Sequence, residues 1–280
     1  MTPGGRQKRA WDGRLSCSME VVSSTFGGVS FDVSPDAYTR FMGRYSEPLA
    51  GLFADLAAVR RGQRALDVGC GPGALTAELV SRLGPDAVGA VDPSRPFVAA
   101  ARGRCPGVDV RLADAGQLPF GDGAFDVTLA QLVVHFMSTP VAGLQEMARV
   151  TRPGGVVAAC VWDHAGGRGP LTAFWRAVRE LDPLADDESG LAGVREGHLA
   201  ELFGQAGLAV ARTAALTVRV RYATFGEWWE PFTFGVGPAG TYVASLDGQR
   251  RAALRERCRR ELAPPPAEVS ATAWAVSARR

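Results

Sequence analysis

A glycine-rich segment, residues 69–74 (GCGPGA), is the part of the chain best suited to hold a ligand. It follows a short apolar run and precedes a segment with helical periodicity. Glycines let the backbone approach a ligand closely, and the first N–H groups of the following helix are free to bind polar groups. The spacing G-x-G-x-x-A also satisfies the dinucleotide fingerprint, so the loop alone predicts a nucleotide-like cofactor without identifying it.

Three aspartates lie at or just after the ends of the first three predicted strands. They help to distinguish between the possible classes of cofactor. Asp67 lies two residues before the first glycine, where its carboxylate suits a cationic ammonium group and would repel a pyrophosphate. Asp92 is placed to accept hydrogen bonds from ribose hydroxyls, which both cofactor classes predict. Asp114 can accept a hydrogen bond from an adenine amine, and a dinucleotide does not require it. Asp67 and Asp114 therefore favour an adenosine cofactor that carries an ammonium group.

Two histidines are candidate general bases. His135 follows the fourth predicted strand, and His164 follows the fifth, together with Asp163, which is a third candidate base. The carboxyl ends of parallel strands are where open α/β sheets bind ligands, and a histidine pKa near neutrality suits proton transfer. The competing interpretation for each histidine is a structural, hydrogen-bonded side chain. His198 lies in a predicted surface helix and is expected to have no catalytic role.

These residues are positioned by an alternation of strands and helices that begins at residue 64. The predicted strands are 65–68, 87–91, 108–112, 125–130 and 156–162, and the predicted helices between them are 74–83, 94–103 and 139–150. This alternation is typical of βαβ units and predicts an α/β, Rossmann-like doubly wound sheet that is mostly parallel. Beyond it we predict two helices, a β-rich stretch and a basic amphipathic helix, at 171–181, 196–206, 208–222 and 249–262. The last strand, 269–276, is expected to close the sheet as an antiparallel edge.

We expect one domain over residues 35–280, preceded by a flexible leader over 1–34. Helices over 35–60 would cap the ligand site. Two insertions, 164–195 and 223–267, exceed what the predicted sheet needs and would lie on the substrate side.

Five segments in order resemble the class I S-adenosylmethionine-dependent methyltransferases. They are LDVGCGPGALT (66–76), VGAVDPS (88–94), ADAGQLPFGDGAFD (113–126), AQLVVHF (130–136) and RVTRPGGVV (149–157). Within that family the chain is similar to the subgroup that includes the quinone-biosynthesis C-methyltransferases. The similarity is strong over about residues 35–163 and weaker beyond.

The resemblance implies S-adenosylmethionine as cofactor and a set of residues that bind it. These residues are Tyr38, Arg44, Asp67, Gly69, Gly71, Gly73, Asp92, Pro93, Ser94, Asp114, Ala115, Gln131 and Leu132. The aspartates would hold the methionine amine, the ribose and the adenine, in chain order. Tyr38 and Arg44 would lie near the methionine carboxylate, because an arginine fork suits a carboxylate. A simple surface cation is the alternative for Arg44.

The resemblance further implies methyl transfer by in-line displacement to a small-molecule acceptor, with His135 or His164 as the candidate base. Aromatic residues of the second insertion suit an apolar or aromatic acceptor if they line its pocket, and otherwise pack the insertion onto the core; they are Trp228, Trp229, Phe232 and Phe234. Two other functions stay open, an NAD(P)-dependent oxidoreductase and a non-catalytic protein that only binds the cofactor.

Composition excludes several other classes of protein. The 31 basic and 29 acidic residues leave a net charge of +2, which is too small for a protein that coats nucleic acid. No apolar run approaches the ~20 residues that span a bilayer, and no signal peptide is evident. The five cysteines are scattered without metal-ligand spacing, so we expect reduced thiols, no metal and a cytoplasmic protein. Nothing in the sequence sets an oligomeric state.

Overall fold

Apolar runs form the central sheet where the sequence predicts strands, in a computed structural model that describes residues 25–26, 29–30 and 34–280. The strands within these residues are β1 (Thr25–Phe26), β2 (Val29–Ser30), β3 (Ala65–Val68), β4 (Val88–Asp92), β5 (Asp109–Leu112), β6 (Phe125–Gln131), β7 (Thr151–Trp162), β8 (Ala209–Tyr222) and β9 (Ala267–Arg279). Strands β1 and β2 pair with each other in antiparallel orientation. They fall inside the predicted leader, 1–34, most of which lies outside the described residues.

The helices connect successive strands and cover both faces of the sheet. They are α1 (Pro35–Tyr38), α2 (Arg44–Leu56), α3 (Ala74–Leu83), α4 (Arg95–Arg104), α5 (Pro140–Val150), α6 (Thr172–Leu181), α7 (His198–Gln205), α8 (Phe225–Trp229), α9 (Gly237–Ser245) and α10 (Gly248–Glu261). A π turn, Thr39–Gly43, joins α1 to α2, and Pro48 lies inside α2. None of the described helices has the length and apolar character needed to cross a bilayer.

Seven strands form one sheet in the order β5-β4-β3-β6-β7-β9-β8. Neighbouring strands from β5 to β7 are parallel, and β9 is antiparallel to both β7 and β8. The sheet confirms the predicted doubly wound, mostly parallel α/β fold with an antiparallel last strand.

The predicted position of that last strand is wrong, because β9 lies inside the sheet and β8 forms the edge. Side chains on both faces of β9 are buried: Ala273 and Ala275 on one face, and Ala278 on the other. The first five residues of β8 are exposed, which suits an edge strand. Pairing with β7 on one side and β8 on the other places β9 inside the sheet.

The hydrophobic core is divided between the two faces of the sheet. In β7, Ala158 and Cys160 belong to one core cluster, while Ala159 and Val161 belong to the other. Successive side chains of a strand point to opposite faces, so a strand that is apolar throughout needs cover on both sides. Helices α2, α3 and α6 supply one cover, and α5 and α7 supply the other.

Candidate functional site

The glycine-rich loop connects β3 to α3 and is fixed to the neighbouring strand. Gly69 has a φ of 72°, a left-handed conformation that favours glycine, and an added Cβ there would lie 2.5 Å from the Val133 side chain. The backbone N–H groups of Gly69 and Cys70 donate to the Val91 carbonyl over 2.8 and 2.9 Å. Glycine is therefore required at position 69, and the end of β4 holds the loop in place.

Asp67, at the end of β3, is a buried carboxyl with one unused oxygen. Thr76 of α3 donates its hydroxyl to Oδ2 over 2.7 Å. Oδ1 is buried and has no hydrogen-bond partner among the residues described. Burial raises the pKa of Asp67 to about 7, and the nearby Asp92 carboxylate adds to the rise while Thr76 opposes it. A cation beside Oδ1 would satisfy that atom and favour the ionised form.

Asp92, at the end of β4, orders the loop around it. Its Oδ2 accepts a hydrogen bond from the Gly71 N–H and its Oδ1 accepts one from the Ser94 N–H, each over 2.8 Å. Burial raises the pKa of Asp92 to about 6, and these two backbone bonds oppose the rise. Each oxygen has further lone pairs for ligand hydroxyls.

A cavity of about 540 Å³ opens beside the loop, and we call it the loop cavity. It is lined by Tyr38, Gly69, Gly71, Asp92, Pro93, Ser94, Phe97, Gln131, Leu132, Val133 and Phe136. A smaller adjoining cleft shares five of these residues and reaches Asp67. The structure thus brings together nine residues that the sequence predicts at one site.

Two of those residues carry features typical of functional sites. Leu132 has a φ of 63°, which is rare for a residue with a side chain and marks local backbone strain. Gln131 donates its amide to the Ser46 carbonyl over 3.0 Å, and its own side-chain oxygen is buried without a partner in the described structure. The turn after β6 therefore presents unsatisfied and strained groups to the loop cavity.

The other four predicted cofactor residues do not line the cavity in the described structure. Gly73 precedes α3 with a φ of 91°, and Ala115 is buried among core residues. Asp114 is exposed, and its Oδ1 accepts the Gly116 N–H over 2.7 Å, as in a turn. Arg44 pairs with Glu227, and its guanidinium lies 5.0 Å from the Tyr222 ring centroid. The prediction that Arg44 binds the methionine carboxylate lacks support here, because its guanidinium already pairs with Glu227.

A second cavity, of about 460 Å³, adjoins the loop cavity, and we call it the histidine cavity. Tyr38, Leu132 and Phe136 line both cavities, so the two cavities meet at these three residues. The other lining residues are Phe41, Met42, His135, Trp162, His164, Leu171, Glu188, Val236, Gly237 and Pro238. Both predicted insertions, 164–195 and 223–267, contribute residues to the lining of the histidine cavity.

The two candidate bases share the histidine cavity. The ring centroids of His135 and His164 are 6.1 Å apart. Burial lowers the pKa of His135 well below its usual range and lowers that of His164 to about 4. Nδ1 of His135 has no partner within the described chain. Both rings are neutral at physiological pH and can exchange hydrogen bonds with a bound molecule.

Two other residues considered at this end of the sheet are structural. Asp163, a third candidate base, is buried and accepts hydrogen bonds from the Gly166 N–H over 2.9 Å and from Arg168 Nε over 2.5 Å. That carboxylate stabilises the turn after β7 and is not available as a base. His198 accepts the Gly193 N–H at Nδ1, as expected of a structural histidine.

The aromatic residues of the second insertion pack against the core. Trp228, Trp229 and Phe232 are buried, and the Phe232 ring stacks on Phe174 of α6 at 4.5 Å. The insertion lines the histidine cavity with a different segment, residues 236–238. The sequence could not show this, because aromatic residues at helical spacing suit a core and a pocket equally.

Residues 66–159 match a family model described as a methyltransferase domain. A demethylmenaquinone methyltransferase of Renibacterium salmoninarum is 34% identical over 174 residues, which cover 61% of this chain and 71% of that protein. One from Beutenbergia cavernae is 42% identical over 101 residues, covering 36% of this chain and 41% of that protein.

A solved structure of similar fold is a methyltransferase of unproven activity from Bacillus halodurans, with a TM-score of 0.53, 16% identity and coverage of 82% of this chain and 97% of that one. The chain spans less than half of the first curated relatives that it matches, 48% and 41% of their lengths. The motifs, the sheet order and a relative that is matched over most of its length agree. This chain belongs to the class I S-adenosylmethionine-dependent methyltransferases.

Proposed function

We propose that this chain binds S-adenosylmethionine in the loop cavity and catalyses transfer of its methyl group to a small apolar or aromatic acceptor held in the histidine cavity. One observation carries this proposal. Two adjoining cavities meet at Tyr38, Leu132 and Phe136. The buried carboxyls of Asp67 and Asp92 border the loop cavity and its cleft, whereas the histidine cavity is lined mainly by apolar side chains. Such a pair of chambers can hold two reactants end to end.

The loop cavity and its cleft fit the cofactor in charge and in shape. The unpartnered Oδ1 of Asp67 can accept a hydrogen bond from the ammonium group of the methionine moiety. Asp92 can accept bonds from the ribose hydroxyls with the lone pairs that Gly71 and Ser94 leave free. An added Cβ on Gly71 would meet only the edge of the Tyr38 ring, at 4.0 Å, so the backbone here is open to a ligand.

The protein's main contribution is alignment and exclusion of water. The bound cofactor supplies a methyl group activated by a cationic sulfur. Tyr38, Leu132 and Phe136 line both chambers and would bring the acceptor atom towards that group. The buried, neutral rings of His135 and His164 can orient the acceptor by accepting a hydrogen bond from it. Full proton transfer to either ring would place an imidazolium cation in the cavity, which the lowered pKa values of both histidines disfavour.

The proposed acceptor class is supported by the lining of the histidine cavity and by the names of the relatives. Phe41, Met42, Trp162 and Leu171 provide flat and flexible apolar contacts. The relatives described above are named for a demethylated menaquinone, which is an apolar aromatic compound. A quinol-like or other polycyclic aromatic acceptor is therefore the first class to test.

Calorimetry with S-adenosylhomocysteine and with NADH tests the proposed cofactor. We expect only the former to bind, because a pyrophosphate would meet the Asp67 carboxyl. Binding of NADH alone would refute the proposal. Transfer of labelled methyl to reduced naphthoquinones and phenols tests the activity. Tight cofactor binding without any transfer to such a panel would favour a non-catalytic protein.

A further inference from the structure

Glu188 is a buried carboxyl in the wall of the histidine cavity, and the function described so far gives it no task. It begins a single 3-10 turn, Glu188–Gly190, within the first insertion. Only 4% of the residue is exposed. Its Oε2 atom is buried and has no hydrogen-bond partner in the part of the chain described. The Trp175 indole N–H lies near this carboxyl but also forms no hydrogen bond of full geometry, so a better-placed donor on a ligand would satisfy the Glu188 carboxyl.

The loop around Glu188 is held firmly. Asp187 accepts the Ser189 N–H over 2.8 Å and forms an ion pair with Arg179 of α6. Leu191 donates its N–H to the Glu188 carbonyl over 3.2 Å. These contacts fix the backbone on both sides of Glu188, so its carboxyl stays in the cavity wall.

The electrostatic surroundings of Glu188 favour a neutral hydrogen-bond donor as its partner. Burial raises the pKa of Glu188 to about 7; its own N–H and the Trp175 indole oppose the rise, and Asp187 adds to it. The lining of the cavity, as described, includes no lysine or arginine, and its two histidines are neutral. A cationic ligand would require a full ion pair in this apolar chamber, with a large desolvation cost.

We propose that Glu188 accepts a hydrogen bond from a hydroxyl group of the methyl acceptor, and that the acceptor is therefore a hydroxylated aromatic compound. This inference rests on the proposed function, since it assigns the histidine cavity to the acceptor. The unpartnered Nδ1 of His135 lines the same cavity and offers a second polar contact. Glu188 is thus a specificity-determining residue that distinguishes a hydroxylated ring from the same ring without a donor.

Binding of three matched probes tests this assignment. The probes are 2-naphthol, 2-methoxynaphthalene, which lacks the donor, and 2-naphthylmethylamine, which carries a cation. We expect calorimetry, with and without S-adenosylhomocysteine, to show roughly tenfold tighter binding of 2-naphthol than of its methyl ether. In Glu188→Met, which keeps the volume and removes the acceptor, the two affinities should become equal. Glu188→Gln, which keeps an acceptor oxygen, should retain part of the preference.

Asp186→Asn is the matched control, because Asp186 is an exposed acidic residue of the same loop. It should keep the preference for 2-naphthol. Equal affinities for 2-naphthol and its ether in the wild-type protein would overturn the assignment, as would tighter binding of the amine. Survival of the full preference in Glu188→Met would do the same.

The wild-type comparison needs no variant to fold, so the assignment stays testable if Glu188→Met is unstable. The titration with S-adenosylhomocysteine tests the proposed function independently of Glu188. Failure of that ligand to bind would refute the proposed function. The role of Glu188 is decided by the ratio of the two naphthalene affinities and by its change in Glu188→Met or Glu188→Gln.

Discussion

Replacing Asp67 by asparagine should make the stability of the ligand-free protein less dependent on pH. The folded protein raises the pKa of Asp67 from 3.8 to about 7. Between these values the folded state holds a proton that the unfolded chain has released. The stabilisation is complete below about pH 4 and is lost as the pH rises through 7. Asparagine does not titrate, so the variant loses this contribution to the pH dependence.

The magnitude follows from the two pKa values. A rise from 3.8 to about 7 corresponds to about 4 kcal/mol of unfolding free energy over the whole range. About 2–3 kcal/mol of that amount falls between pH 5 and pH 8. Asparagine can still accept the Thr76 hydroxyl bond, so the fold around α3 should persist.

Urea denaturation of both proteins at pH 5, 6, 7 and 8 measures this effect. Asp92 and Glu188, with raised pKa values, and the two cavity histidines, with lowered ones, also make stability depend on pH. They are common to both proteins, so the difference between the curves reports mainly on Asp67. Asp86→Asn, at an exposed position after α3, is the control and should follow the wild type. Parallel curves for the wild type and Asp67→Asn would refute the reasoning.

Ligand binding gives a second readout on the same residue. An ammonium group beside Oδ1 favours the ionised carboxyl, so S-adenosylhomocysteine should stabilise the wild type more at pH 8 than at pH 6. Asp67→Asn should lose this pH dependence. Equal ligand stabilisation of the wild type at both pH values would show that the ammonium group does not bind Asp67.

Three further substitutions test the site and the core. Asp92→Asn should weaken S-adenosylhomocysteine binding by roughly 1–3 kcal/mol in calorimetry, and unchanged affinity would contradict the ribose assignment. Gly69→Ala should lower both affinity and melting temperature, because its Cβ would meet Val133 at 2.5 Å, while Gly103→Ala, in open space, should not. Phe53→Ala, fully buried in α2, should cost about 3–5 kcal/mol in urea denaturation, and a loss below 1 kcal/mol would contradict its packing.

Much of the loop cavity could be predicted because its determinants are local in the sequence. Asp67, the glycines and the start of α3 lie within one strand–loop–helix unit, and Asp92 ends the next strand. Parallel neighbours bring such strand ends to one edge of the sheet, so the fold class implies that the residues meet.

The other features of the site and of the sheet depend on contacts between segments that are distant in the chain. One sequence alone does not reveal such contacts. Arg44 forms an ion pair with Glu227, 183 residues away in the chain. The guanidinium that could bind the carboxylate of the cofactor is thus already part of a contact between two segments of the protein. Glu188 belongs to no motif, and only burial by other elements makes its carboxyl unusual. The alternation of β9 predicts a strand, but its place in the sheet depends on which neighbour it pairs with.

The interior position of β9 affects the order in which the chain can assemble. Among the strands that the structure describes, β8 is hydrogen-bonded to β9 alone, and it is synthesised before α8, α9 and α10. The parallel strands β3 to β7 can pair while the chain is still emerging from the ribosome. The outer edge of β7 then stays open until β9 arrives, and an open edge invites pairing with other chains. We therefore expect the segment after β7 to reduce aggregation, because it covers this edge, in addition to lining the site.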